Sequence, residues 1–261
     1  MAFGDFVQID TNFASSTSVV VTLTSSPTAG NLLVGCHFDR HVDAQGGTAP
    51  TDDTSDTFTQ VVIVDDAGQE DDFGMYYKVS DGDESTVEFT AGGSDYQTAC
   101  VVELLGTGGF ASPALKAYGA GDAGGSTSTA GYCGVATPPA GNWIAVAGLS
   151  GRGADADWIS SWSNSFVQRL EYHEAAYDNA LGIATLAGSG GGNVTTTATK
   201  DDIISIGAIA IFEQAPVAGG SRRIMTISQI PKLLPLMLMV GAIKNPKLKR
   251  REFLNMMKWF K

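Results

Sequence analysis

The stretch Pro27–Val34, Pro-Thr-Ala-Gly-Asn-Leu-Leu-Val, recurs 111 residues later at Pro138–Val146 as Pro-Pro-Ala-Gly-Asn-Trp-Ile-Ala-Val. In both copies Pro, Gly and Asn supply turn chemistry, and the apolar run behind them reads as a strand. Further landmarks keep the same order. Phe58-Thr59-Gln60 returns as Phe166-Val167-Gln168, and Gly74–Ser80 as Gly182–Gly188, both at an offset of 108. Thr86–Thr90 lines up with Asn193–Thr197 within one residue, and Thr98–Leu104 falls on Ile206–Phe212 at 108. The chain therefore reads as two copies of one β-pattern. A period of this length is too long for a solenoid unit.

Each half is expected to supply about six strands. In the first half a short apolar stretch at 5–10 precedes strands at 18–24, 32–38, 56–62, 73–79, 85–90 and 96–105, separated by polar or Gly/Pro-containing loops. The unbroken apolar start of 32–38 suggests a strand buried on both faces. Two architectures suit this pattern: tandem sandwiches of immunoglobulin size, or two halves interleaved into a single jelly roll. The connection from Gly106 to Ser126 carries Phe110, Leu115 and Tyr118, as packed chain would, and no Cys-Trp-Cys spacing is present. The expected fold is therefore all-β, a single two-sheet jelly-roll sandwich of about twelve strands. It should span residues 1–214, followed by a linker at 215–220 and a basic, partly helical segment at 221–261.

Charge divides the chain at the same place. Residues 1–220 hold 6 Lys+Arg against 27 Asp+Glu, whereas residues 221–261 hold 10 against a single Glu252. An acidic body disfavours nucleic acid as its ligand, and the basic end implies a second, different partner. Ile230–Ile243 is apolar but short and broken by prolines, so it does not read as a membrane span. After Asn245-Pro246, a helix start, Phe253, Met256, Met257 and Phe260 share one helical face. Lys247, Lys249, Arg250, Arg251 and Lys258 carry the charge. Three partners fit such a basic amphipathic segment: a protein groove, a membrane surface, or packaged nucleic acid. The protein groove suits the Met-rich face best.

Other constellations are weaker. Cys36, Cys100 and Cys133 show no paired spacing and read as buried apolar thiols. His37 and His41, with Asp39 and Asp43, lack the ligand count of a zinc site. The acidic clusters Asp52/Asp53/Asp56, Asp65/Asp66/Glu70/Asp71/Asp72 and Asp81/Asp83/Glu84 offer the oxygens that structural Ca2+ would take, though none has the spacing of the twelve-residue calcium loop. No other cofactor is implied. Glu88 and Glu103 stand alone within strands, and no Gly-x-Ser-x-Gly nucleophile elbow occurs, so the sequence gives no catalytic set. Trp158 and Trp162 are the candidates for stacking on sugar rings. The N-terminus has neither a basic n-region nor an apolar h-region, so no signal peptide is expected.

The succession Ser-Val-Val-Val-Thr-Leu, Pro-Thr-Ala-Gly-Asn-Leu-Leu-Val, Asp-Asp-Thr-Ser-Asp-Thr-Phe-Thr-Gln-Val-Val, Met-Tyr-Tyr-Lys-Val and Val-Val-Glu-Leu-Leu-Gly resembles the jelly-roll, concanavalin-like β-sandwich domains of bacteriophage structural proteins and bacterial surface proteins. The likeness covers residues 5–214 and rests on structural motifs. It implies display, adhesion, or decoration of a capsid or tail, without a shared catalytic set. The expectation is a homo-oligomeric, non-enzymatic virion protein, docked on capsid or tail subunits through residues 221–261. The alternatives are an adhesin that binds host-surface glycan and a membrane-associated spike.

Overall fold

A computed structural model describes residues 2–40, 48–66, 71–122, 128–152 and 158–216. The basic segment, with Lys247, Lys249, Arg250, Arg251, Phe253, Met256, Met257 and Phe260, lies outside the described residues. So do His41, Asp43 and Glu70. Met1–Val217 forms one compact unit. Among the described residues there is no helix, and thirteen strands occur rather than about twelve.

The first half contributes β1 (Phe6–Thr22), β2 (Leu32–Arg40), β3 (Thr48–Asp52), β4 (Thr59–Asp66), β5 (Asp71–Val79) and β6 (Thr86–Leu104). The second contributes β7 (Phe110–Asp122), β8 (Ser128–Ala136), β9 (Asn142–Arg152), β10 (Ile159–Trp162), β11 (Val167–Glu174), β12 (Asn179–Ser189) and β13 (Val194–Gln214). The strand orders are β1-β6-β2-β5-β4, with β3 on β6, and β10-β13-β9-β12-β11, with β7 and β8 also on β13. One topology has been used twice, with β1 of the first half split into β7 and β8 in the second. Every hydrogen-bonded strand pair lies within one half. This corrects the expected interleaving: the halves stack instead of exchanging strands.

The stack is four layers deep, because the longest strands fold over themselves. The apolar stretch at 5–10 and the strand expected at 18–24 are one strand, β1; the strands expected at 85–90 and 96–105 are one strand, β6. Their register shifts between Ser16 and Ser18, where Ser16 faces Asp95 and Ser18 faces Thr90. Past that bulge the strands re-aim. Val87 and Phe89 from one end of β6 therefore share a core with Val101 from the other end, and with Leu33, Tyr76, Val19 and Val21. The second half repeats this with Ala198 and Ile209 of β13, packed among Trp143, Leu149, Trp158 and Phe166. The third core joins the halves. Leu32, Val34, Cys36, Phe73, Met75, Cys100 and Val102 lie against Ile144, Val146, Leu181, Ile183, Ile206, Ala208 and Phe212. Each central sheet is covered on both faces, so Leu32–Asp39 is buried without a break, as the sequence suggested.

The halves meet as a pseudo-dimer. β1 lies against β11 and β4 against β7, β6 against β12 and β5 against β13, with β2 against β9. Exchanging the equivalent strands of the two halves maps these pairs onto one another, as an isologous two-fold contact would, while β4 against β13 and β5 against β9 depart from that symmetry. Gly148 is a point of close approach. A Cβ there would sit 2.5 Å from Phe73 Cζ and 3.3 Å from Cys36 Sγ.

The repeated turn does launch an equivalent strand in each half, but its register differs. Leu32 pairs with Val79 and Leu104. Its structural counterpart, which pairs with Ala187 and Phe212, is Ile144. The strands therefore superpose at an offset of 112, against 111 for the turn motif. A shift of one residue moves a side chain to the opposite face. Leu32 accordingly enters the core between the halves, while Trp143, its match in sequence, enters the second half's own core.

Candidate functional site

Polar chemistry concentrates in the first half and along its boundary with the second. At one end of β5, Lys78 is surrounded by four carboxylates. Its Nζ lies 2.5 Å from Asp52, 3.0 Å from Asp56, 3.3 Å from Asp81 and 3.2 Å from Glu84. The Asp52 and Glu84 side chains are fully buried; those of Asp56 and Asp81 reach solvent. Two of the acidic clusters seen in sequence are thus brought together, and an ammonium fills the space between them. Burial opposes the Asp52 charge, but Lys78, the Thr54 hydroxyl and the Asp56 N–H outweigh it and hold the carboxyl below its ordinary range. The Glu84 balance is similar, with burial overcome by Ser80, the Asp81 N–H and Lys78. Burial likewise disfavours the Lys78 charge, and the four carboxylates reverse that and raise its pKa. Among the described residues no group of three or more His, Cys, Asp or Glu side chains is disposed to hold a metal ion.

On the same sheet, a row of polar side chains enters the interior of the first half. His37 Nε2 hydrogen-bonds with Gln97 Oε1 at 2.9 Å, and Gln97 donates onward to the Ser16 carbonyl. Burial pushes His37 down to about 4, against the pull of the Gln97 contact. Asp39 and Asp72 are register partners on β2 and β5, and both are buried. Tyr76, two pleats along from Asp72, is raised to about 12, first by burial and then by the Asp72 charge. His37 is therefore a core histidine tied to a glutamine.

The third assembly joins the halves. Arg152 Nη2 donates to Asp71 Oδ1 at 2.6 Å. Its counterpart Arg40 reaches back across the boundary to the Tyr177 carbonyl and, at 3.5 Å, to Asn179 Oδ1. Arg40 pairs in register with Asp71, and Arg152 with Asn179. The two contacts are therefore related by the pseudo-two-fold. Beside them the Tyr177 ring stacks on Phe13, at 5.0 Å and 15°, and on Tyr96, at 4.4 Å and 27°. Asn179 Nδ2 donates to the Tyr96 carbonyl at 3.0 Å.

Glu103, isolated in the sequence, also has a structural task. It accepts from Asn31 Nδ2 at 2.6 Å, from Thr28 N at 2.9 Å and from Gln8 Nε2 at 2.7 Å, while Asn31 Oδ1 accepts from Gly106 N at 2.8 Å. The Asn of the repeated turn is thus the pin that holds turn to sheet. In the second half Asn142 donates to Gln214 Oε1 at 2.8 Å.

The two tryptophans are not brought together as a sugar platform. Trp158 is 0% exposed and belongs to the second half's core, which removes it as a stacking surface. Trp162 is half-buried, and its indole N–H donates to Gln168 Oε1 at 3.2 Å. Cys36 and Cys100, which showed no pairing in sequence, face each other across β2 and β6. Comparison with protein-family models, curated proteins and solved structures finds no match.

Proposed function

We propose that this chain is a non-catalytic structural protein of a bacteriophage particle. Its acidic β-body is displayed outward, and its basic C-terminal segment holds it to capsid or tail subunits. The observation that carries this reading is that the charged groups inside the body are committed to one another. Lys78 lies among four carboxylates, Arg152 binds Asp71, and Glu103 pins the Pro-Thr-Ala-Gly-Asn turn. Hydrolysis of a glycoside would call for two carboxyl groups facing each other across an open cleft. Self-satisfied clusters of this kind favour a rigid scaffold over a reaction site. The jelly-roll resemblance supports display, and the segregation of charge between residues 1–220 and 221–261 supports two faces with different partners.

The adhesin reading loses its main support with Trp158 in the core. The membrane-spike reading depends on residues 221–261 alone. Truncation after Gly220 tests the proposal. The shortened chain should keep its β-type circular dichroism and thermal transition yet fail to enter particles assembled in its presence. Incorporation at the level of the full chain would overturn the anchoring role. Flotation of the full chain, but not the truncated one, with anionic liposomes would favour the spike.

A further inference from the structure

Cys36 on β2 and Cys100 on β6 are directly opposed in antiparallel register. Both point into the core shared by the two halves, where burial and the neighbouring Cys100 thiol push the Cys36 thiol up. Directly opposed residues of antiparallel strands hold their Cα atoms about 4.5–5.5 Å apart, within the range of about 4.4–6.8 Å that a disulfide spans. The second half faces this pair with its smallest side chains. Gly148 and Ala208 are the structural counterparts of Cys36 and Cys100, and they are register partners too. Cys133 lies apart, in the second half's own core, with its Sγ directed at the Gly148 carbonyl at 3.5 Å.

We propose that Cys36 and Cys100 form a reversible cross-strand disulfide when the protein meets a small-molecule disulfide oxidant. One thiol of the pair, after losing its proton, attacks a sulfur of the oxidant. That breaks the oxidant's S–S bond, makes a mixed disulfide and releases one thiolate, which takes up a proton. The second thiol then loses its proton and attacks the protein sulfur of that mixed disulfide, closing the Cys36–Cys100 bond and releasing a second small thiol. Two electrons pass from the cysteine pair to the oxidant, whose two halves leave as thiols. Both cysteines are fully buried, so the exchange waits on local opening of the sheet and is slow in the folded chain. Opposed strands hold their Cβ atoms about 4.5–5.5 Å apart, slightly wider than the disulfide mean of about 3.8 Å. The strands must draw together, and such a bond is readily reduced.

The test uses the full chain and oxidised glutathione, added either to folded protein or during refolding from denaturant, with remaining thiols alkylated before digestion. Trypsin leaves Cys36 on Met1–Arg40, Cys100 on Val79–Lys116 and Cys133 on Ala117–Arg152. The expected product links the first two peptides, is lighter than their sum by two hydrogen atoms, and separates on reduction. Cys133 is recovered alkylated. The Cys100→Ser variant should carry glutathione on Cys36 and yield no internal link. The proposal is overturned if neither treatment of the wild-type chain gives the Cys36–Cys100 link, or if Cys133 takes part in the dominant link.

Discussion

The two halves share a topology and differ in chemistry. Residues 1–105 carry 2 Lys+Arg against 18 Asp+Glu, and residues 106–214 carry 4 against 9. At equivalent positions the first half places His37, Asp72, Tyr76 and Lys78 where the second has Leu149, Ala180, Ala184 and Leu186. The fold tolerates both sets because it is specified by strand pairing and by apolar residues on both faces of the central sheets. What fills the space between a central sheet and its outer layer can vary. It can be an apolar cluster, as around Trp158 and Phe166, or a set of hydrogen-bonded and ion-paired groups, as around His37 and Lys78.

The two regimes differ most when the largest side chain of the apolar half is removed. Trp158→Ala should cost about 3–5 kcal/mol through the cavity it leaves, read as a lowered urea midpoint. If Trp158 instead served a ligand at the surface, stability would barely move. In the polar half the matching experiment is Lys78→Met. This leaves Asp52 and Glu84 buried without their cation, and loss of about 3 kcal/mol is expected. At the equivalent site Leu186→Met should cost less than about 1.5 kcal/mol. Equal effects at the two sites would show that the charged cluster is no more than a solvated rim.

The same cluster sets a pH window whose sign follows from the shifts. Asp52 and Glu84 have folded pKa values below their ordinary 3.8 and 4.5, so their contribution is present above those values and lost as pH falls through the lower, folded ones. Lys78 is raised above 10.5, so its contribution is complete below that pH and lost as pH rises through the higher, folded value. His37 acts in a different range. Its pKa falls from 6.5 to about 4 on burial, so the unfolded chain binds the proton first. Stability should therefore decline by about 3 kcal/mol between pH 6.5 and pH 4. His37→Leu, which copies the second half, should flatten the urea midpoint over that range. An unchanged slope would assign the acid sensitivity to carboxylates alone.

Much of the fold was legible in the sequence because strand periodicity and turn residues act locally. The repeat, the positions of the central strands and the two-sided burial of Leu32–Phe38 all came from such signals, whereas β3 and β7 fall in stretches that read as a polar loop and a connection. The four-layer arrangement did not, because the bulge that lets β1 and β6 fold over themselves sits in ordinary polar residues near Ser16–Ser18. Nor did the change of face at Trp143, since a one-residue slip between turn and strand leaves the motif intact. Polar partnerships were least legible. Asp52, Glu84 and Lys78 come from separate stretches, and Cys36 and Cys100 become neighbours only through the β2–β6 register. Met-Tyr-Tyr-Lys-Val was visible as a strand motif, but the role of Lys78 lay in which carboxylates surround it.

The smallest expected effect tests the boundary between the halves. Tyr177 belongs to the second half, yet its ring stacks on both Phe13 and Tyr96 of the first, which also stack on each other at 6.5 Å. Stacked aromatic pairs contribute about 0.5–1.5 kcal/mol beyond the area they bury. Tyr177 is 36% exposed, so truncation loses part of its burial as well, though less than a fully buried ring would. Tyr177→Ala should accordingly lower stability by about 1–2 kcal/mol, and Tyr177→Phe, which keeps the ring, should restore most of it. The Arg40 contact goes to the Tyr177 main-chain carbonyl and survives either change. Because the large apolar core still joins the halves, a single cooperative transition should persist in both variants. Separate unfolding of the two halves in Tyr177→Ala would mean that the aromatic clasp, rather than the core around Gly148, couples them.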